Sequence, residues 1–480
     1  MSSISPTLQL VTGRSIGLVA SFAIGVVLAR LFAPADFGVY KQFFLVYATL
    51  YGVLQLGMAE SLYYFVPKAS QHTGRYVCNA MATLALVGAA SAAALYLGRN
   101  VMARWLTPEL AAQAPLLGVF LTCMLASTVL EIVLISRSRH AAAAVTYAVS
   151  DIARTLLFVL PALLVVSLRA VFVGAAVFAA LRLAATVAAL WRVFGRELRF
   201  DLPRWREQLA YALPFALAVG IEVVLINYHQ YVVAARVDAA TFAIYAIGCL
   251  QIPLYDLIVT SSVNVLMVRM ADAPRGRAAL ALWHDTVCRL AFLIFPLAAL
   301  LIVGAHSLIV GLFTATYVAS VPIFVIWVLT MLPAVMAVDA VLRVYAQTRF
   351  LLVMNLVRLL CVAGLIGACL SAFGLPGAVL VTLLALAATK TLGLLRIAAL
   401  MRVGLGELLP WRRLAAMALI TLVAVTPAAW LQHGVTWPPL ATFAAASALY
   451  VTTYALLSYS FGLIGPETPA PREATTTCVA

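Results

Sequence analysis

Residues 351–397 read LLVMNLVRLLCVAGLIGACLSAFGLPGAVLVTLLALAATKTLGLLRI, two apolar runs parted by Phe373-Gly374-Leu375-Pro376. A hydrocarbon core about 30 Å thick takes roughly 20 residues of helix to cross, at 1.5 Å per residue. Each run has that length, and between them they carry only Arg358, Lys390 and Arg396 as charged side chains. Rich in Ala, Leu and Val, the runs lack the alternating period of a lipid-facing barrel strand. In hydrocarbon every backbone amide has to be satisfied within its own segment, so the runs are read as helices.

Outward from this pair the same pattern fills the chain. Spans are expected near 15–33, 42–66, 78–98, 115–135, 142–167 and 171–191. A second series follows near 210–233, 242–268, 288–311, 319–342, 351–372 and 376–397, and two more spans trail near 414–431 and 439–461. With 65% hydrophobic residues, 10% charged residues and a mean hydropathy of +1.07, a soluble fold would have to show water contiguous apolar surface. The expected fold is therefore all-α and polytopic, with about 14 transmembrane helices. The expected divisions are an N-terminal six-helix lobe (1–195), a connector (196–209) with Asp201-Leu202-Pro203 as a helix breaker, a second six-helix lobe (210–400), two extra helices (401–461) and a tail (462–480). The tail, rich in Pro, Thr and Ala, is expected to be disordered.

The net charge of +14 is distributed as a topology signal and does not call for a nucleic-acid partner. With the start of the first span placed in the cytoplasm, alternate connectors carry Lys68 and Arg75, then Arg137 and Arg139, then Arg192, Arg196, Arg199, Arg204 and Arg206. The series continues with Arg269, Arg275 and Arg277, then Arg343 and Arg349, then Arg402, Arg412 and Arg413. About 21 of the 31 Lys and Arg fall on this side, the asymmetry of the positive-inside rule. Both termini are expected in the cytoplasm, and the first helix, preceded by Arg14 and lacking a small-residue cleavage site, reads as retained.

Absences narrow the chemistry. Cysteines at 78, 123, 249, 288, 361, 369 and 478 form no CxxC pair, so neither a metal site nor a disulfide framework is implied. There is no GxxxxGK[ST], HExxH or GxSxG, and the connectors are too short for a catalytic domain. No cofactor is implied, and transport remains. Phe37-Gly38-Val39-Tyr40 follows the first span and Phe242-Ala243-Ile244-Tyr245 follows the seventh. The pair suggests two repeated bundles related about the membrane normal, with a substrate path between them.

Polar residues inside the spans mark where that path runs. Span 2 holds Tyr51, Gln55 and Glu60, span 7 holds Glu222, Asn227, His229 and Gln230, and span 8 holds Gln251, Asp256 and Asn264. A charge at mid-bilayer costs at least about 2.5 kcal/mol, so such residues normally face a bundle interior or a wet cavity. Spans 1, 2, 7 and 8 are thus candidate cavity walls. Asp151 and Arg154, at i and i+3, read as a structural ion pair. Arg14, Arg30 and Lys41 suit headgroup anchoring as well as substrate contact, and Arg358 and Lys390 can snorkel. Gly13, Gly17, Ser21, Gly25 and Ala29 form a small-residue ridge suited to close helix packing. Pro161, Pro214, Pro253, Pro296 and Pro333 are expected to kink their helices.

The stretch Arg30-Leu31-Phe32-Ala33-Pro34-Ala35-Asp36-Phe37-Gly38-Val39-Tyr40 resembles the R-L-x-x-P-x-D-F-G-x-Y signature of polysaccharide biosynthesis flippases. These belong to the multidrug/oligosaccharidyl-lipid/polysaccharide (MOP) exporter superfamily. Leu213-Pro214, and Leu312-Phe313 followed by Tyr317, extend the match. The resemblance implies two six-helix lobes in a V and no enzymatic activity. It implies transfer of a polyprenyl-diphosphate-linked oligosaccharide from the cytoplasmic to the outer leaflet of a bacterial inner membrane. On that basis Arg14, Arg30, Gln55 and Arg358 are the candidate substrate contacts. Glu60, Glu222 and Asp256 are the candidate ion-coupling carboxylates, for a proton or a sodium ion. The lipid-linked oligosaccharide and the bilayer are the expected partners, and a polysaccharide polymerase is a candidate one. Two alternatives stand beside this reading: a multidrug or cation antiporter of the same superfamily, and an integral-membrane glycan polymerase or ligase.

Overall fold

A computed structural model describes residues 17, 20, 22–68, 72–274 and 276–462. Arg14, Gly13, Ser21, Arg275 and the tail from 463 onward lie outside the described residues. Among those described, every regular element is a helix and there is no strand. The first lobe comprises α1 (Phe22–Leu31), α2 (Pro34–Leu54), α3 (Met58–Lys68), α4 (Thr73–Leu97), α5 (Arg99–Trp105), α6 (Pro108–Ala112), α7 (Ala114–Ser127), α8 (Val129–Ser136), α9 (His140–Val165) and α10 (Leu168–Phe194). The second comprises α11 (Leu202–Ala234), α12 (Ala239–Gly248), α13 (Pro253–Asp272), α14 (Arg277–Val303), α15 (Ala305–Phe313), α16 (Val321–Leu329), α17 (Val338–Val344) and α18 (Thr348–Met401). The short α19 (Leu405–Leu408) leads to the closing pair α20 (Trp411–Gly434) and α21 (Pro439–Ser460).

Among the described residues, 11 helices are long and apolar enough to cross a membrane, or up to 12 when the bent pair α2 and α3 counts as one span. The expected fourteen is not confirmed by this count, which covers only the described residues and so meets the first span only from Phe22. The eighth span is divided by the turn at residues 249–252, and its α13 part is the one counted. α18 counts once although its backbone turns at Gly374, with φ 63° and ψ −153°. A side chain there would be strained, and Pro376, two residues on, has no amide hydrogen to continue the ladder.

Broken spans leave backbone groups that lipid cannot satisfy. In the second lobe, side chains do it. At the α12–α13 break the Trp327 indole donates to the Leu250 carbonyl (3.1 Å), and the Ser320 hydroxyl donates to the Ile244 carbonyl (2.7 Å) within α12. The Trp283 indole donates to the Met336 carbonyl (2.8 Å), where residues 332–336 tighten into a 3₁₀ turn and Ala337 takes a left-handed conformation before α17. In the first lobe α2 breaks from α3 with Leu56 and Gly57 at positive φ.

The connector corrects one expectation: Pro203 starts a helix and breaks none. Asp201 caps α11 by accepting from the Arg204 amide, and Pro203 occupies the first turn, where its missing N–H costs nothing. The first turns of α11 dock on the first lobe. The Arg75 guanidinium donates to the Asp201 carboxylate (2.8 Å), Asn79 exchanges two hydrogen bonds with the Asp201 backbone, and the Trp205 indole donates to the Thr83 hydroxyl (2.8 Å). Gln208 donates to the Ser61 hydroxyl (2.8 Å), and Tyr211 stacks on Tyr64. The far end of α11 belongs to the second lobe, where buried His229 bonds Tyr245 (2.6 Å) and packs on Trp327. α20 and α21 lie against α14 and α15, with the Tyr454 hydroxyl donating to the Phe292 carbonyl (3.0 Å).

Candidate functional site: a cleft between the lobes

At the charge-poor end, the end bearing residues 32–33, 235–238 and 304–314, the lobes are sealed together, and the residues of the flippase-like stretch make the seal. Gly38 of α2 lies directly on the Ala239 carbonyl at the start of α12, with no room for a Cβ. Phe37 is fully buried and meets the Tyr317 ring edge-on, with centroids 6.0 Å apart. The Arg30 guanidinium donates to the carbonyls of Leu312 (2.7 Å) and Gly311 at the end of α15. Both members of the repeated tetrapeptide meet here: Tyr40, Phe242 and Tyr245 are buried, and α2 packs against α12.

Toward the arginine-rich end the arrangement opens. α12 has the first lobe as its neighbour, whereas among the described residues α13 packs mainly on α14 and α17 of its own lobe. Asp256, Thr260 and Asn264 stand four residues apart on that helix and are all exposed. Behind them a cavity of about 250 Å³ is lined by Thr260 and Asn264 of α13, Asp339 and Arg343 of α17 and Lys390 of α18. Lys390 donates to the Asp339 carboxylate at 2.6 Å. Arg358 of α18 is half-buried, its Nε has no hydrogen-bond partner, and it lies within electrostatic reach of Asp339 and of Glu222 on α11. A larger groove of about 730 Å³ runs between α2, α4, α5 and α11. Its lining has no charged side chain, so it offers nothing to compensate an ionic head.

The sequence-derived candidates are therefore dispersed. Arg30 lies at the sealed end, where its guanidinium holds two helix-terminal carbonyls. Gln55 lies at the break between α2 and α3. Glu60 is half-buried on α3, with one carboxylate oxygen lacking a hydrogen-bond partner. Glu222 and Asp256 are exposed on the second lobe, and neither makes an ion pair among the described residues. Only Arg358 and Glu222 are drawn into one neighbourhood. Asp151 and Arg154 form the expected ion pair, at 2.7 Å. The small-residue ridge is in tight contact at Gly17, against the Asp151 carboxylate, and faces open space at Gly25.

Sequence reasoning missed Asp339 and the Arg182–Glu131 pair. Arg182 of α10 donates to Glu131 (2.6 Å), Ser127 (3.2 Å) and Ser150 (2.9 Å), tying α7, α8 and α9 together inside the first lobe. Outside the spans, hydrogen bonding from Arg75 and then the Arg204 contacts hold the Asp201 carboxyl down at about 2.

Among solved structures, the chain is similar to one described as "Lipid II flippase MurJ, inward closed conformation", with 13% identity over 95% of this chain and 98% of that one and a TM-score of 0.73. An inward-facing multidrug resistance MATE family transporter of the MOP superfamily matches at 14% identity, over 80% and 96% of the two chains, with a TM-score of 0.54. The Vibrio cholerae MATE transporter VcmN in its bent form matches at 12% identity, over 86% and 97%, with a TM-score of 0.52. No curated protein matches in sequence. With its two lobes sealed at one end around paired broken helices, the chain shares the fold of these solved transporters. The family model for polysaccharide biosynthesis proteins matches residues 27–322, more than half of the chain, and the chain belongs to that family.

Proposed function

We propose that this protein is a flippase that carries a polyprenyl-diphosphate-linked oligosaccharide from the cytoplasmic to the outer leaflet of a bacterial inner membrane by alternating access. The observation that carries the reading is the V itself, sealed at the charge-poor end and open at the arginine-rich end with a polar wall along α13, α17 and α18. By the positive-inside rule the open end faces the cytoplasm, where such a substrate is loaded, and both termini lie there. A charged head and hydrated glycan are prohibitively costly in hydrocarbon, and a wet cleft removes most of that cost while the polyprenyl tail stays among acyl chains. Outward movement of negative charge through an inside-negative potential is favourable by about 2.3 kcal/mol per charge per 100 mV. Arg358 and Gln55 are the proposed substrate contacts, with Arg14, outside the described residues, as a further one. Glu60, Glu222 and Asp256 are the proposed sites for a coupling proton or sodium ion. The test is deletion of the gene, which should trap lipid-linked oligosaccharide on the cytoplasmic leaflet and stop glycan export. Normal export in the deletion strain, or a gain of cation resistance on overexpression with no glycan phenotype, would overturn the assignment.

A further inference from the structure

Two ion pairs inside the spans are built differently. In the Arg182–Glu131 pair both side chains are withdrawn, at 18% and 5% exposure. In the Lys390–Asp339 pair the base is withdrawn at 13% while the acid is 48% exposed. A pair made only to brace helices has no need to present its acid to the cleft. In the lining of the cavity around it the charges do not balance: Lys390 and Arg343 stand against Asp339 alone, and Arg343 makes no ion pair among the described residues. Two fixed features hold the cations in place. Lys390 sits well inside α18, and Arg343 follows Asp339 by one helical turn on α17, a segment aimed by the break at residues 332–337. The cavity they share, about 250 Å³, holds roughly eight waters' worth of volume, room for a diphosphate and part of its hydration.

We propose that this cavity is the diphosphate subsite of the cleft, and that the Asp339 carboxylate occupies it as a resident anion until the lipid diphosphate displaces it from Lys390. The inference rests on the flippase reading above. An ammonium left without a counter-ion in a low-dielectric wall is costly. A carboxylate on the rim supplies the counter-ion while the site is empty and can swing toward water when a more highly charged oxyanion arrives. Phosphate then takes the ammonium of Lys390 and the guanidinium of Arg343 in charge-assisted hydrogen bonds. The exchange also gives selectivity, because an uncharged lipid cannot release Asp339.

The test is binding of farnesyl diphosphate, a short polyprenyl diphosphate, to the purified full-length protein in nanodiscs, with inorganic pyrophosphate as competitor to separate head from tail. Asp339→Asn keeps the shape of the side chain and removes its charge, so binding should tighten by several-fold. Lys390→Met should weaken it by about tenfold, the equivalent of one charge-assisted hydrogen bond. If Asp339→Asn instead weakens binding as Lys390→Met does, or leaves it unchanged, the pair is a brace and the resident-anion assignment is wrong. Because that variant is isosteric, the decision stands even if Lys390→Met does not fold. Failure of the unaltered protein to bind farnesyl diphosphate at all would sink the flippase reading together with this one, whereas binding that ignores both substitutions would sink this one alone.

Discussion

Glu131 and Arg182 meet at 2.6 Å inside the first lobe, and two further donors of the guanidinium are taken by Ser127 and Ser150. Desolvating such a pair offsets much of its Coulomb attraction, but removing one member strands the other, at a cost of about 3–5 kcal/mol. Glu131→Ala should therefore lower the thermal unfolding temperature in detergent sharply, while the double replacement of Glu131 and Arg182 by Met should recover most of the loss. Equal destabilisation by the single and double variants would show that the pair contributes through packing alone. The two residues escaped the reading of the sequence because they are 51 positions apart on different helices. Spacing along one helix reveals only neighbours three or four residues away, which is why the Asp151–Arg154 pair was legible and this one was not.

The junction of the connector with α11 depends on Asp201. Its carboxyl is held at about 2, below the ordinary 3.8, first by the hydrogen bond from Arg75 and further by Arg204. A depressed carboxylate contributes stability that is complete above its ordinary value and is lost as pH falls through the folded value. Amide protection across residues 198–212, with the intrinsic pH dependence of exchange divided out, should thus be flat from about pH 4 upward and fall only as pH approaches 2. In Asp201→Asn the same amides should exchange faster at neutral pH, and an unchanged profile would show that Asn79 and Trp205 suffice to dock the helix. Most spans were legible from length and hydropathy, because lipid imposes a helix on any apolar run of that length. The breaks were less so. Gly374 with Pro376 announces its turn in the sequence, and Pro253 and Pro333 mark the breaks at 249–252 and 332–337, but those two also depend on indoles from other helices to satisfy freed carbonyls, and no local pattern encodes that.

Across the whole molecule, the flippase-like stretch was legible as a motif, but its physical role was not. Gly38 is required by the Ala239 carbonyl and Arg30 by two carbonyls at the end of α15, contacts that exist only once the lobes meet. A methyl group at Gly38 has nowhere to go, so Gly38→Ala should wedge the seal apart. A cysteine placed at Asn264 on the cleft wall should then be labelled by a membrane-impermeant thiol reagent from the charge-poor side, and not so when Gly38 is present. Equal labelling in both would show that the seal lies elsewhere. The candidate site was legible only in part, since Glu222, Asp256 and Arg358 stand out as intramembrane charges while Asp339 near the end of its span reads as interfacial. One further consequence follows from α11, an unbroken rod of 33 residues whose first turns are bolted to one lobe and whose last turns are bolted to the other. The halves cannot glide past each other or separate. They are left with flexure of this shared strut, for which Pro214 is the weakest rung, so each turnover must load and unload a leaf spring common to both.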